Sequence, residues 1–234
     1  DDPSHGLIRG RQEADSSFVT QDLAVNSYDQ PYWNNSAEAW RAFVELSRAW
    51  RQLSERTGDE ALAAAAAHLL ATAAELKDDL DSALPLSILT DRDLPYLPMY
   101  AGSDLYHIDY PYRATPQSFD DNRVWTEFMG SGVIPNEIVD LIMDYEAKHW
   151  GCWLGIIGNR KHIVVFLAHG QGYAFIQNDR IDEFLMLYYG LIAHGYTRGT
   201  WSAFECVDLD RDRAEHTPYA GPAQLVVAPL TKWM

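Results

Sequence analysis

The stretch EALAAAAAHLLATAAELKDDL, Glu60 to Leu80, limits what this chain can become more than any other. Alanine has the highest helix propensity of any residue, and Leu, Glu and Lys rank close behind it. Just upstream, Trp40, Phe43, Val44, Trp50 and Leu53 recur at helical spacing from Ser36 to about Ser54, with Ser36 suited to the N-cap. Only the turn around Thr57-Gly58-Asp59 separates the two segments. Helices joined so tightly must run antiparallel. A helix hairpin over residues 36–83 is therefore expected, with Trp40 and Trp50 packed inward. His68 reads as a helix-surface or satisfied histidine, not a ligand.

The segment from Pro85 to Gln117 has prolines at 95, 98, 111 and 116 among tyrosines and no sustained period. It is too aromatic for a solvated linker and reads as an ordered, packed loop. Helical pattern returns over about Asp121 to Met129, and again after Pro135 with Ile138, Leu141, Ile142 and Tyr145. His162 to Leu167 is the best strand candidate. Asp179 to Ala193 carries Ile181, Phe184, Leu185, Tyr188, Leu191 and Ile192 on one face, and a last helix spans about Ala223 to Met234. Pro222 suits its first turn. The fold expected is mainly all-α: an array of antiparallel helix hairpins with long aromatic loops and at most a minor β-hairpin. It forms one helical catalytic-type domain over residues 1–234. A four-helix bundle with decorated loops is the alternative.

With 34 acids against 18 bases the net charge is −16, which repels phosphate backbones and anionic membranes. No nucleic-acid or membrane partner is expected, and no apolar run reaches the ~20 residues of a membrane span. Cys152 and Cys206 are the only cysteines and form neither a disulfide framework nor a CxxC site. Both are expected as small buried hydrophobes. Because the chain begins at Asp1, it is expected to be processed or partial, and its compartment stays open, a secreted or periplasmic one being favoured.

Three stretches in order, GLIRGRQEAD, YWNNSAEAW and GTWSAFE, followed by GPAQLVVAPLTKWM, carry a resemblance. Together they resemble the (α/α)6-toroid carbohydrate-active enzymes, chiefly glycoside hydrolases. The resemblance is at the level of motifs and spans most of the chain. It implies a toroid of helix hairpins and a carbohydrate substrate. About seven helices are legible here, roughly half the complement of a closed toroid. The expectation is therefore a C-terminal half, with the remainder of its own polypeptide as a partner.

Glycoside hydrolysis uses two carboxyl groups, one protonated to serve the leaving oxygen and one ionised. The loop AHGYTRGTWSAFECVDLD places Glu205 beside Trp201 and Phe204, whose apolar faces would favour a protonated acid. Its partner is expected from Glu13 or Asp15. Sugar recognition needs flat apolar faces and planar amides. Trp33, Asn34 and Asn35 supply these in succession, although Asn35 or Ser36 serves equally as a helix cap. A second polar-aromatic cluster holds Tyr106, His107, Asp109, Tyr110, Tyr112 and Arg113. Trp125 follows it, with Glu127 read as a solvated helix acid, and His194 and Tyr196 flank the Glu205 loop. His194 also suits a helix C-terminus.

Other chemistries fail on pattern. DLDRDR alternates like a calcium loop, but Arg213 replaces its glycine and Tyr219 its closing glutamate, leaving a solvated acidic turn. HExxH, P-loop, GxGxxG and GxSxG motifs are missing from the sequence, so no metal or cofactor is expected. The expected function is hydrolysis of a neutral or weakly charged oligo- or polysaccharide by paired carboxyls. One alternative is a polysaccharide lyase using Tyr106, His107 and Arg113. The other is a non-catalytic carbohydrate-binding or interaction module.

Overall fold

The computed structural model describes residues 2–10, 30–106, 119–149, 151–159, 162–209 and 213–234. The chain is mainly helical with a small antiparallel sheet. Helices α1 (Trp33–Thr57) and α2 (Glu60–Ser87) form the expected antiparallel hairpin. Its turn follows from two residues. Gly58 takes the left-handed conformation at φ 72° and donates its N–H to Ser54. Asp59 caps α2, accepting from the amides of Ala61 and Leu62. Where the helices meet, Ser47 Oγ donates to the Ala66 carbonyl at 2.8 Å. Trp40 and Trp50 are half-buried.

The start of α1 corrects one expectation. Trp33, not Ser36, opens the helix, and Tyr32 is its cap residue without a side-chain bond. Ser36 is buried and accepts the Ile8 amide at 2.9 Å, tying the N-terminal segment to α1.

The Pro/Tyr-rich segment is ordered over its described part, residues 88–106. Two indoles hold it: Trp33 Nε1 donates to the Pro98 carbonyl at 2.6 Å, and Trp125 Nε1 to that of Leu97 at 3.0 Å. Tyr96, Leu97 and Met99 are fully buried between them. Next come α3 (Phe119–Gly130), α4 (Asn136–Lys148), α5 (Ala168–Gln177), α6 (Ile181–His194), α7 (Gly221–Leu225) and α8 (Val227–Trp233). Helices α3 and α5 touch backbone to backbone. A Cβ on Gly170 would fall 2.0 Å from the Thr126 carbonyl, and one on Gly130 2.9 Å from Gly170 Cα.

The sheet is larger than the minor hairpin expected. Strands β1 (Cys152–Trp153), β2 (Ile156–Asn159), β3 (His162–Val164), β4 (Phe204–Asp208) and β5 (Arg213–Pro218) pair antiparallel in chain order. The expected strand at His162 stops at Val164 and passes through a short 3-10 turn, Val165–Leu167, into α5. The segment read as a loop around Glu205 is strand β4. It pairs Ile163 with the half-buried Val207 and Val164 with the buried Cys206, so apolar side chains of β3 and β4 pack on one another. Asp208, first of the DLDRDR run read as a solvated acidic turn, is instead buried at the end of β4, and residues 210–212 of that run lie outside the described residues. Cys152 is half-buried and Cys206 buried, both as free thiols.

Candidate functional site

A cleft of about 740 Å³ opens where α1, α3, the start of α5 and the α7–α8 corner converge. The close α3–α5 contact at Gly130 and Gly170 makes its floor. Phe166, Leu167, Val226 and Pro229 supply apolar wall. The ionisable side chains lining it are Glu38 and Arg41 from α1, Arg123 and Glu127 from α3, and His169 from α5.

Glu127 is fixed on both oxygens. Asn34 Nδ2 donates to Oε2 at 2.6 Å, and Arg123 Nε donates to Oε1 at 2.8 Å. Glu38 reaches solvent at the cleft mouth. Loss of water to the walls raises its pKa above the ordinary carboxylate value, Arg41 opposes this, and Glu127 and Glu45 add to it. The two acids therefore sense each other across the cleft. Arg41 is anchored by Glu45 at 3.0 Å and by donation to the Gly130 carbonyl at 2.5 Å, and it lies over the Tyr173 ring. His169 packs against the Trp233 ring, and burial, then Arg41, lower its pKa, which favours the neutral imidazole. The arrangement thus offers an acid more easily kept protonated, a second carboxyl held by two donors, and a neutral base. Among the described residues no group of His, Cys, Asp and Glu is arranged to hold a metal ion.

Several residues expected to bind substrate are core. Trp33 and Trp125 are fully buried, with Trp33 stacked on Phe128 and Trp125 edge-on to Tyr96. Neither ring has a free face, because both are fully buried, and each indole N–H holds the 88–106 segment. Tyr106 is also buried, stacked on Tyr96 and covered by the Arg92 guanidinium at 3.8 Å. Its hydroxyl donates to Asp91, and burial and that carboxylate push its pKa to about 12. Tyr196 is buried too, donating to the Ala223 carbonyl at 2.8 Å.

Other expected residues lie apart from the cleft. Glu205 is half-buried on β4, and His194 is exposed at the end of α6. Asn35 is half-buried beside Gly10. Trp201 is exposed. Glu13, Asp15, His107 and Arg113, with Asp109, Tyr110 and Tyr112, lie outside the described residues. Among the described residues expected to bind substrate, Asn34 alone joins the cleft's polar network, through Glu127.

Sequence reasoning passed over Glu38, Arg41, Arg123 and His169. A signal for the first two existed: Asn34, Glu38, Arg41 and Glu45 follow one another at i, i+4, i+7 and i+11, a polar stripe on an apolar helix. Arg123 and Glu127 repeat it on α3 at i, i+4, between the buried Val124, Trp125, Phe128 and Met129. His169 sits in AHGQGYAF, whose glycines disguise a helix. Compared with protein families, curated proteins and solved structures, the chain matches none.

Proposed function

We propose that the chain is a glycoside hydrolase domain, and that its acid pair is Glu38 and Glu127. The observation that carries this reading is that carboxyls on two facing helices line one cleft in unequal environments. Glu38, its pKa raised, suits the general acid that protonates the glycosidic oxygen. Glu127, fixed by Asn34 and Arg123, suits the carboxylate that attacks the sugar carbon or activates water. The α1–α2 hairpin and a cleft built from several helices are compatible with part of an (α/α)6 toroid, and that arrangement belongs to the same proposal.

One observation favours polysaccharide lyase chemistry as the second reading. Neutral His169 could take a proton while Arg41 or Arg123 neutralises a uronate. Absorbance of a new double bond in the product separates the two reactions.

The decisive experiment compares Glu38→Gln and Glu127→Gln with wild type on a panel of aryl glycosides and oligosaccharides. Each substitution keeps size and polarity but removes the ionisable group. Turnover is expected to fall roughly 10²–10⁴-fold in each folded variant, with the melting temperature retained by Glu38→Gln and lowered in Glu127→Gln, which loses the charge that Asn34 and Arg123 hold. Wild-type turnover in either folded variant would sink the assignment.

A further inference from the structure

We infer that the edge strand β1 is a proton-controlled latch on α4: it stays closed over Glu146 while that acid carries its proton, and peels away when the acid ionises, exposing the Cys152 thiol. The device is separate from the cleft and does not depend on the function proposed above.

Glu146 lies in the last turn of α4. It is 1% exposed, and among the described residues neither carboxyl oxygen has a hydrogen-bond partner. Such a place tolerates a neutral acid far better than a carboxylate stripped of water. Its cover is backbone. A Cβ on Gly151 would fall 1.3 Å from Glu146 Oε2, so only a glycine lets the chain cross the carboxyl this closely. The next two residues, Cys152 and Trp153, are the whole of β1. The Cys152 sulfur is hydrogen-bonded by the Gln171 side chain and the Gly155 backbone, and it feels the charge of Glu146.

Nothing charged competes for control of the acid. The titratable group facing it from β1 is Cys152, and the polar group on the α5 side is the neutral amide of Gln171. On its own helix Lys148 pairs with Asp93 at 2.6 Å, and His149 just beyond lies 4.0 Å from the same carboxylate. Burial therefore acts on Glu146 unopposed and raises its pKa from 4.5 to about 8. Closure is strongest below pH 4.5 and weakens as the pH rises to about 8.

Strand β1 is also the element best able to yield. It is paired on one side only, with β2. Strand β2 stays anchored: Ile156 and Ile157 are fully buried, and the Ile157 amide donates to Gln171 at 2.9 Å. The hairpin tip is pinned as well, because a Cβ on Gly155 would fall 3.0 Å from the Leu187 amide. Between tip and strand, Leu154 is exposed and held at φ 53°, a strained conformation for a side chain of its size. Opening about this pivot relieves that strain, and short edge segments open well below the cost of global unfolding.

Iodoacetamide labelling of the full chain reads the latch. Cys152 and Cys206 peptides are quantified by mass spectrometry from about pH 5.5 to 8. Each rate is divided by that of the urea-unfolded chain at the same pH, which gives the opening at each thiol. At Cys152 the opening is expected to rise on the order of 100-fold across this range, by linkage to the Glu146 proton. Cys206, buried on β4, reports opening of the whole fold and should label about tenfold or more slowly than Cys152. Glu146→Gln should flatten the rise, since an amide does not titrate. No rise in wild type, a rise that survives in folded Glu146→Gln, or equal labelling of the two cysteines would each overturn the latch. Should Glu146→Gln fail to fold, Gly151→Ala decides. Its added carbon wedges β1 from the acid and should speed Cys152 labelling at pH 5.5, and unchanged labelling there overturns the latch too.

Discussion

Asn34 donates its side-chain amide to Glu127 at 2.6 Å, so the first turn of α1 holds the carboxyl that α3 presents to the cleft. Asn34 is buried, and its replacement removes a charge-assisted hydrogen bond from a half-buried acid. Asn34→Ala should therefore cost about 1–3 kcal/mol by denaturant midpoint. Asn34→Asp sets carboxyl against carboxyl, and its cost should be larger at pH 7 than at pH 4. Equal cost at both pH values would show that the two side chains do not interact.

Glu146 predicts an unusual stability profile. It is buried with neither carboxyl oxygen hydrogen-bonded, and burial raises its pKa from 4.5 to about 8. A Cβ on Gly151 would fall 1.3 Å from its Oε2, so the start of the β1 hairpin closes over the acid. The Cys152 thiol beside it is pushed up to about 12, by burial first and by Glu146 next. The folded state thus binds a proton that the unfolded state releases above 4.5. Its contribution is fully present below pH 4.5 and is lost progressively up to about pH 8, by roughly 3–5 kcal/mol. The stability difference between Glu146→Gln and wild type should widen in the mutant's favour from pH 5 to pH 8. A constant difference across that window would refute the burial argument.

Two glycines should differ sharply in the cost of conversion to alanine. At Gly170 the added carbon meets the Thr126 carbonyl, a backbone atom in the middle of a facing helix. Neither helix can yield without opening the cleft floor, so Gly170→Ala should cost about 3 kcal/mol or more. Gly58 has φ 72° but nothing within 4 Å. Gly58→Ala should cost only about 1 kcal/mol. Thermal melts of the two variants give the comparison.

Glu205 and Glu38 make competing candidates for the acid. Glu205 lies on β4 and is not among the residues lining the cleft. Glu205→Gln should retain turnover where Glu38→Gln loses it, with both variants folded. Reversal of that order would restore the Trp201 loop as the catalytic centre.

Local chemistry was enough for the helix hairpin. Alanine propensity, the αL glycine and the aspartate cap act within a few residues of Gly58, so their outcome was legible in order along the chain. The same holds for α4, for α6 and for the described part of the Pro/Tyr segment, where apolar period or aromatic content signals burial. The sheet was less legible, because Phe204–Asp208 becomes a strand only when β3 and β5 flank it. The tryptophans show the limit most clearly. A Trp-Asn-Asn run looks the same in sequence whether the indole faces a ligand or donates to Pro98, which lies 65 residues away. Pairing Glu38 with Glu127 likewise required two helices distant in sequence to converge, and no local rule encodes that distance. Sequence alone determined most of the helical segments, though not α5, and which polar residues share a helix face. Tertiary packing decided which aromatic rings are core and which carboxyls share a cleft, because burial and electrostatic coupling depend on neighbours that the chain brings together only by folding.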